Sequence, residues 1–276
     1  LILYPMNALV NDQLGRLRLL LGDARVTSQF QSWAQRPARF ARYTSRTLYP
    51  GVRKVERDQQ RLKSIEDFYI DLLDRSDDPA SRYHADATAL VGKLKERGKW
   101  PAKPDLREWY GAKGSRWKMD GEFVRAVLQP RDAELLTRHE VLEAPPDVLI
   151  TNYSMLEYMM MRPLERPVFD DTREWLATNP DEKFLLVVDE AHLYRGAAGA
   201  EVALLLRRLR ARLGIDADRL QVIATSASFD SADYARKFAA QLSGKDADDF
   251  RTIVGKLALR PAADVGSAVD ASELAA

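Results

Sequence analysis

Two adjacent carboxylates, Asp189 and Glu190, are the residues whose types and position point most directly to chemistry. They follow residues 184–188, an apolar run typical of a buried strand. At the carboxyl end of such a strand, an Asp can hold Mg²⁺ against nucleotide phosphates while the next Glu orients and deprotonates the attacking water. The same pair could instead only cap and charge the next helix. The pair alone leaves both interpretations open.

A second motif, Thr225-Ser226-Ala227-Ser228, directly follows another apolar run, residues 220–224. Hydroxyl groups at a strand end can bond an acidic motif on a neighbouring strand and transmit the state of a bound nucleotide. Small polar residues are also common in ordinary turns. Together, two such motifs on strands separated by an amphipathic helix indicate an ATPase more sharply than either motif alone.

The segments that must position these motifs alternate between strand and helix patterns. Four apolar runs have the composition of strands buried on both faces, and they are residues 1–4, 148–151, 184–188 and 220–224. Amphipathic helix patterns follow the first and third runs and end at Gly22 and Gly214. This alternation predicts a doubly wound parallel α/β sheet, whose ligands bind beyond the carboxyl ends of the strands.

Residues 52–141 interrupt the alternation with charged, helix-like segments and a stretch rich in Trp, Lys, Gly and Pro. Because this segment is too long for a plain loop, we predict a largely helical insertion with its own small core at the edge of the sheet. Its aromatic and basic residues could bind nucleic acid, although such rings more often form a core. They are Lys99, Trp100, Lys103, Trp109, Tyr110, Lys113, Arg116, Trp117 and Lys118.

Composition and charge set broad limits. The 276 residues are 46% hydrophobic, enough for a sizeable core, and 42 basic residues balance 41 acidic ones. This balance gives no global positive field of the kind that marks a basic nucleic-acid-binding domain. The absence of cysteine excludes disulfides and thiol catalysis. With no apolar run of transmembrane length and no leader pattern, we expect a cytoplasmic protein without a membrane partner.

The two motifs resemble those of superfamily 2 helicases. Asp189-Glu190-Ala191-His192 resembles the DExH box of that family, and Ser226-Ala227-Ser228 resembles its Ser-Ala-Thr motif with Ser in the last place. The resemblance implies ATP and Mg²⁺ as cofactors, with Asp189 holding Mg²⁺ and Glu190 activating water. It also implies that His192 and the residues from Thr225 to Ser228 couple the nucleotide state to a nucleic-acid track.

Three further segments resemble the motifs that line the track for one nucleic-acid strand in this family. Residues 4–13 are similar to motif Ia, residues 42–47 stand at the place of motif Ib, and residues 151–156 resemble the Thr-containing motif that follows. These motifs contact the phosphate backbone, which suits binding without sequence preference. The strand-binding residues that the resemblance implies are Pro5, Asn7, Gln13, Thr44, Arg46, Thr47, Thr151, Asn152 and Ser154.

Two of these residues also have the positions of helix caps. Asn7 precedes the first helix pattern, and Ser154 with Glu157 has the spacing of a capping box. Helix N-termini that need caps are also phosphate sites, so a capping role and a strand-binding role are compatible.

A narrower likeness is to large bacterial helicases of the MrfA-like and antiphage defence-island kind, such as the DISARM and Druantia helicases. It rests on Arg195-Gly196 and on the phrases at residues 42–47 and 153–158. The broader resemblance to superfamily 2 helicases implies a first RecA-like motor domain formed by residues 1–51 and 142–244, with residues 245–276 as a strand (residues 250–254) and a linker toward a second RecA-like domain of the same parent chain. The implied partners are DNA, with RNA as the weaker alternative, and other defence-system proteins.

One motif of the family does not occur in this sequence. The Gly-x-x-x-x-Gly-Lys-Ser/Thr loop cradles phosphates through its backbone amides and a Lys. Residues 92–99 have one residue too many between the glycines, Trp100 where a hydroxyl belongs, and no strand before them. We therefore interpret the chain as a fragment. We expect that the 276 residues alone neither bind ATP well nor hydrolyse it.

The sequence is compatible with three functions. The preferred one is ATP hydrolysis coupled to movement on DNA, in phage defence or DNA repair. The same first-domain motifs also serve translocases that move on duplex DNA without separating its strands. A non-hydrolysing nucleic-acid-binding scaffold is the third, although an abandoned site has no need of both Asp189 and Glu190.

Overall fold

The computed structural model of the chain describes residues 1–48, 51–229 and 231–255. Within these ranges, the strands are β1 Ile2–Tyr4, β2 Phe40–Tyr43, β3 Lys118–Met119, β4 Glu122–Phe123, β5 Glu134–Leu135, β6 Val148–Asn152, β7 Phe184–Val188 and β8 Leu220–Ala224. The α-helices are α1 Asn7–Leu21, α2 Ala24–Ala34, α3 Val55–Ile65, α4 Asp71–Asp77, α5 His84–Glu96, α6 Leu106–Tyr110, α7 Arg138–Glu143, α8 Tyr153–Met161, α9 Arg166–Thr178, α10 Gly196–Leu213 and α11 Ala232–Ser243. A π-helical turn, Glu66–Ile70, joins α3 to α4.

Six strands form one sheet in the order β5-β2-β6-β1-β7-β8, and every neighbouring pair is parallel. Helices lie on both faces, although the face of β7 and β8 that carries Leu185 and Ile223 is exposed. Leu3 of β1 belongs to the core that contains residues of α8, α9 and α10, whereas the next residue, Tyr4, packs with Val10 of α1 on the other face. The predicted RecA-like doubly wound parallel sheet is confirmed. The carboxyl ends of its strands therefore lie along one edge of the sheet.

All four predicted strands are present, as β1, β6, β7 and β8. The α10 helix buries one apolar stripe and ends before Gly214, whose φ of 65° is in the left-handed region that glycine adopts easily. Two strands of the sheet, β2 and β5, were not predicted. The short β2 run includes Arg42, and β5 is only two residues long and begins with Glu134. Neither run has the apolar composition on which the prediction relied.

Both predicted helix caps are wrong. Asn7 is the first residue of α1 rather than its cap, and its side-chain oxygen accepts a hydrogen bond from Asn152. In α8 the cap is Asn152, whose side chain accepts from the backbone N–H of Met155 at 2.8 Å. Because β6 runs through Asn152 directly into the helix, the capping position falls before Ser154, which is exposed.

The strand predicted at residues 250–254 is also wrong. Residues 250–255 have no regular secondary structure, and the side chains of Ile253 and Val254 are exposed. A strand requires a neighbour for its backbone N–H and C=O groups, and none of the strands described above pairs with this segment. The predicted linker beyond Arg260 lies outside the described residues.

The segment at residues 52–141 has the small core that was predicted. Trp100, Trp109, Tyr110 and Trp117 are buried there with apolar residues of the surrounding helices. These rings are therefore core residues and are not exposed for stacking on bases. The same segment supplies β5, which pairs with β2 at the edge of the main sheet. The domain boundaries themselves stay a prediction.

None of the helices in the described part of the chain is long and apolar enough to cross a membrane.

Candidate functional site

The acidic pair lies where β7 ends, between the carboxyl ends of β1 and β8. The backbone N–H of Asp189 donates to the carbonyl of Leu3 at 3.0 Å, and the N–H of Thr225 donates to the carbonyl of Val188 at 3.0 Å. The side chains of Asp189 and Glu190 are partly exposed. The sheet thus presents both carboxylates at the edge where ligands of doubly wound sheets bind.

Glu190 has an unusual backbone conformation, with φ 49° and ψ 44° in the left-handed region. For a residue with a Cβ this costs roughly 1–3 kcal/mol and persists only where the surroundings enforce it. Here the N–H of Ala191 donates to the carbonyl of Thr225 at 2.8 Å, and the N–H of Leu193 donates to the carbonyl of Glu190 at 2.9 Å. The strained turn is therefore held by β8 and by the 3-10 turn that follows.

Side chains join the acidic motif directly to the hydroxyl motif. The hydroxyl of Thr225 donates to Asp189 Oδ1. His192 Nδ1 lies 3.1 Å from Ser226 Oγ and 3.3 Å from Glu190 Oε2. The structure therefore brings these five predicted residues into one contact set.

The rest of the hydroxyl motif contributes through its backbone. The N–H of Ser228 donates to Ser226 Oγ at 3.2 Å, and Arg195 Nη2 donates to the carbonyl of Ser228 at 3.4 Å. Ala227 and Ser228 are exposed in the loop after β8. Arg195, one of the residues behind the narrower likeness, thus approaches the same loop.

Two tyrosines flank the acidic pair. Burial, and next the negative charge of Asp189, raises the pKa of Tyr4 to about 12. Burial, with Tyr153 and Asp189 as further causes, also raises the pKa of Tyr194. Both phenols therefore stay neutral near pH 7 and add no negative charge beside the carboxylates.

The donor set suits Mg²⁺ bound together with a nucleotide. Mg²⁺ is commonly held by one or two carboxylates plus substrate phosphates and water, not by a cage of protein ligands. Asp189, with the Thr225 hydroxyl beside it, offers that kind of site. Among the described residues, no three His, Cys, Asp or Glu side chains are grouped as metal ligands.

Residues of the predicted track lie along the same edge. Asn152 Nδ2 donates to Asn7 Oδ1 at 2.7 Å, which joins the end of β6 to the start of α1. Pro5, Asn7, Gln13 and Asn152 are partly exposed, and Arg46 and Ser154 are exposed. These six side chains can be reached from solvent.

The three threonines of the predicted track are buried and have a different role in the structure. The hydroxyl of Thr47 donates to the carbonyl of Arg42 at 2.8 Å, and that of Thr151 donates to the carbonyl of Tyr43 at 2.6 Å. Thr44 Oγ1 accepts from the N–H of Arg46 at 3.2 Å. These hydroxyls shape the loop after β2, so any effect on strand binding would be indirect.

A buried carboxylate, which the sequence analysis did not single out, braces this loop from behind. Glu165 Oε1 accepts from the hydroxyl of Tyr43 at 2.8 Å and from Arg162 Nη1 at 3.0 Å. Arg138 Nη2 donates to the carbonyl of Thr44 at 2.9 Å. Tyr43, Arg138 and Glu165 are far apart in sequence and share no motif, so no sequence signal pointed to this carboxylate.

Sequence comparison identifies a relative that covers the whole chain. The chain is 43% identical over 291 aligned positions to the Druantia protein DruE of Escherichia coli (strain UMEA 4076-1), and the alignment covers 100% of the chain and 15% of DruE. The chain is a homologue of one segment of DruE. The resemblance to Druantia-type proteins, which the motifs indicated, is confirmed.

A second relative is more distant than DruE. An uncharacterized ATP-dependent helicase of Methanocaldococcus jannaschii is 32% identical over 112 residues, covering 41% of the chain and 15% of that protein. No protein-family model and no solved structure matches the chain. The chain thus spans about 15% of the length of DruE and of the archaeal helicase.

Proposed function

We propose that the protein containing this chain is an ATP-driven motor that moves along nucleic acid, with DNA preferred over RNA. The observation that supports this most is the contact set at the ends of β7 and β8, where Thr225 bonds Asp189 and Ser226 contacts His192. The similarity to an ATP-dependent helicase agrees with it. In this proposal the chain supplies part of a first motor domain.

Each residue of the contact set has a role in the proposal. Asp189 would hold Mg²⁺, which supplies charge neutralisation for the phosphates when it is bound. Glu190 would orient the attacking water and accept its proton. Through His192 and Ser226, a change at Glu190 would reach the loop after β8 and then the strand track.

Hydrolysis also needs a phosphate-cradling loop, which another part of the protein would supply together with a second RecA-like domain. The exposure of apolar side chains on one face of the β7–β8 pair supports the idea that another segment packs there. Leu185 and Ile223 lie on the same face and are 42% and 45% exposed, and β8 is the last strand on its side of the described sheet. Strands of parallel sheets are normally covered on both faces, so this face suits an additional apolar segment.

The first prediction concerns the Glu190→Gln variant of the full-length protein. We expect ATP turnover stimulated by single-stranded DNA to fall by about 10² or more, because the general base is lost, while nucleotide binding persists. ATPase assays with and without DNA, beside a nucleotide-binding titration, make the measurement. Glu201→Gln, the same change at an exposed position of α10, is the matched control and should keep wild-type turnover.

The alternatives give different results in the same assay. Equal turnover in wild type and Glu190→Gln would mean that the catalytic carboxylate is wrongly placed. No turnover in wild type with any nucleic acid would favour the non-hydrolysing scaffold. Stimulation by duplex DNA without strand separation would favour the duplex translocase. The similarity to a Druantia protein adds a proposed role in phage defence, which phage plating on cells carrying wild type or Glu190→Gln would test.

A further inference from the structure

A cleft of about 430 Å³ lies between α1, β2 and the segment at residues 52–141. Asn11, Arg42 and Arg46 line it on the side of the sheet, and Tyr69 and Lys99 line it on the side of the insertion. We propose that this cleft binds a backbone phosphate of the nucleic-acid strand, so that the insertion extends the track. The inference rests on the proposed function, since it names a further contact for the same ligand.

The charge of the cleft favours an anion. Among the described residues that line it, Arg18, Arg42, Arg46 and Lys99 are cationic and Glu134 is the one carboxylate. Glu134 is already engaged: Arg18 Nε and Nη2 donate to its two oxygens at 2.8 and 2.7 Å, and the N–H of Ala102 donates to it at 2.9 Å. Among the described residues, Glu134 therefore makes its ion pair with Arg18 and is not in ion-pair contact with the other three cations.

Arg42 is the clearest sign of an absent anionic partner. Its guanidinium is partly buried and donates to the neutral Asn11 Oδ1 at 2.6 Å, and within the described residues no carboxylate lies at ion-pair distance from it. Burial lowers its pKa, which Arg18 and Arg46 lower further against the opposing effect of Glu134. Desolvating a cation without a carboxylate in direct contact is unfavourable, so a bound phosphate would relieve this cost.

A close backbone contact holds the insertion side of the cleft in place. Gly98 has φ 62°, and a Cβ there would lie 2.2 Å from the carbonyl oxygen of Gly15 in α1. The hydroxyl of Tyr69 donates to the carbonyl of Lys99 at 3.0 Å. Gly98 thus lies against α1, and the next residue, Lys99, lines the same cleft as Arg46.

The position of the cleft assigns the phosphate to the strand rather than to a free anion. Asn11 lies about one helical turn along α1 from Asn7, which belongs to the predicted track. Arg46 belongs to the loop after β2 and also lines the cleft. A strand that follows the sheet edge past Asn7 and Arg46 would therefore reach Arg42 and Lys99.

The test measures strand affinity in the full-length protein by fluorescence anisotropy with a labelled oligo(dT). Lys99→Glu and Arg42→Gln should each weaken binding roughly tenfold, the size of one lost charged hydrogen bond. Each should also reduce the slope of log K against log salt by about 0.7, because one phosphate contact is lost. Lys93→Glu makes the same charge change on an exposed face of α5 outside the cleft, and it should bind like wild type.

The outcomes separate this inference from the proposed function. Failure of wild type to bind any strand contradicts the proposed function itself. Strand binding by wild type that is weakened equally or not at all in Lys99→Glu and Lys93→Glu overturns the cleft. A second experiment titrates the wild type and Arg42→Gln with pyrophosphate. If Arg42→Gln loses pyrophosphate binding but keeps its affinity for the strand, the cleft binds a free anion, and the proposal is overturned. If circular dichroism shows that Arg42→Gln is unfolded, exposed Lys99 decides the result.

Discussion

The Ser226 hydroxyl is the atom at which the acidic motif and the loop after β8 meet. It lies 3.1 Å from His192 Nδ1 and accepts from the N–H of Ser228 at 3.2 Å. His192 in turn lies 3.3 Å from a carboxylate oxygen of Glu190. If Glu190 acts in hydrolysis as proposed, a change there has a short path of polar contacts to the loop.

This path leads to a prediction for Ser226→Ala in the full-length protein. We expect turnover without nucleic acid to change by less than about threefold, while stimulation by a strand falls by roughly tenfold, since one hydrogen bond of the coupling path is lost. Steady-state ATPase assays across a DNA titration measure both quantities. In the described contacts only the backbone of Ser228 takes part, so Ser228→Ala should have the smaller effect. Equal loss in both variants would argue against the path.

At the scale of elements, α1 and the insertion meet in a joint that contains a close backbone contact between Gly15 and Gly98. Gly98 has a positive φ and lies against the backbone of Gly15, so any residue with a Cβ would be both strained and in steric conflict there. Gly92, in the middle of α5, has no positive φ, and a Cβ added to it would meet no described atom within 4 Å apart from the adjacent backbone of its own helix. Replacement by Ala should therefore lower stability at Gly98 and raise it at Gly92.

We expect Gly98→Ala to destabilise the joint by roughly 1–3 kcal/mol from backbone strain, with steric repulsion in addition. Gly92→Ala should instead stabilise α5 by about 0.5–1 kcal/mol. Hydrogen–deuterium exchange of the full-length proteins is the measurement, because it reports local opening. Faster exchange in residues 94–102 is expected for Gly98→Ala alone. Unchanged exchange there in Gly98→Ala would show that the joint is not held by this contact.

At the scale of the whole molecule, the described sheet presents the residues proposed to hold the metal ion and the water, whereas the sequence contains no Gly-x-x-x-x-Gly-Lys-Ser/Thr loop that could cradle phosphates. Asp189 and Glu190 stand at the edge of the sheet, and carboxylates on their own repel the negative charge of ATP. Tight binding of a nucleotide normally uses backbone N–H groups of a glycine-rich loop and a Lys.

The isolated 276 residues should accordingly show no turnover. They should bind ATP and Mg²⁺ with a Kd weaker than about 1 mM. Isothermal titration calorimetry on the isolated chain, beside the full-length protein, is the measurement. Circular dichroism and the fluorescence of the buried tryptophans establish that the isolated chain is folded. Micromolar binding of ATP by this folded chain would contradict the division of roles proposed here.

The amino-acid sequence alone was enough to predict the parallel sheet with four of its six strands, and the position of the acidic and hydroxyl motifs. Residues 184–188 and 220–224 are recognisable as strands because a parallel strand buried on both faces must be apolar along its whole length. The carboxyl end of such a strand lies at the ligand edge wherever it falls in the order of strands. Asp189 and Thr225 could therefore be assigned to one edge before their contact was known.

Features that depend on partners remote in sequence emerged only in the folded chain. β2 became a strand because it pairs with both β6 and β5, and β5 became the edge strand because it pairs with β2. Glu134 could be buried in β5 because Arg18 pairs with it. The cap of α8 passed to Asn152 because β6 runs directly into the helix. The local sequence pattern predicts which residues are buried and how they are spaced along the chain. A hydrogen bond or ion pair between residues remote in sequence cannot be predicted in this way, because it forms only when the tertiary structure brings both partners together.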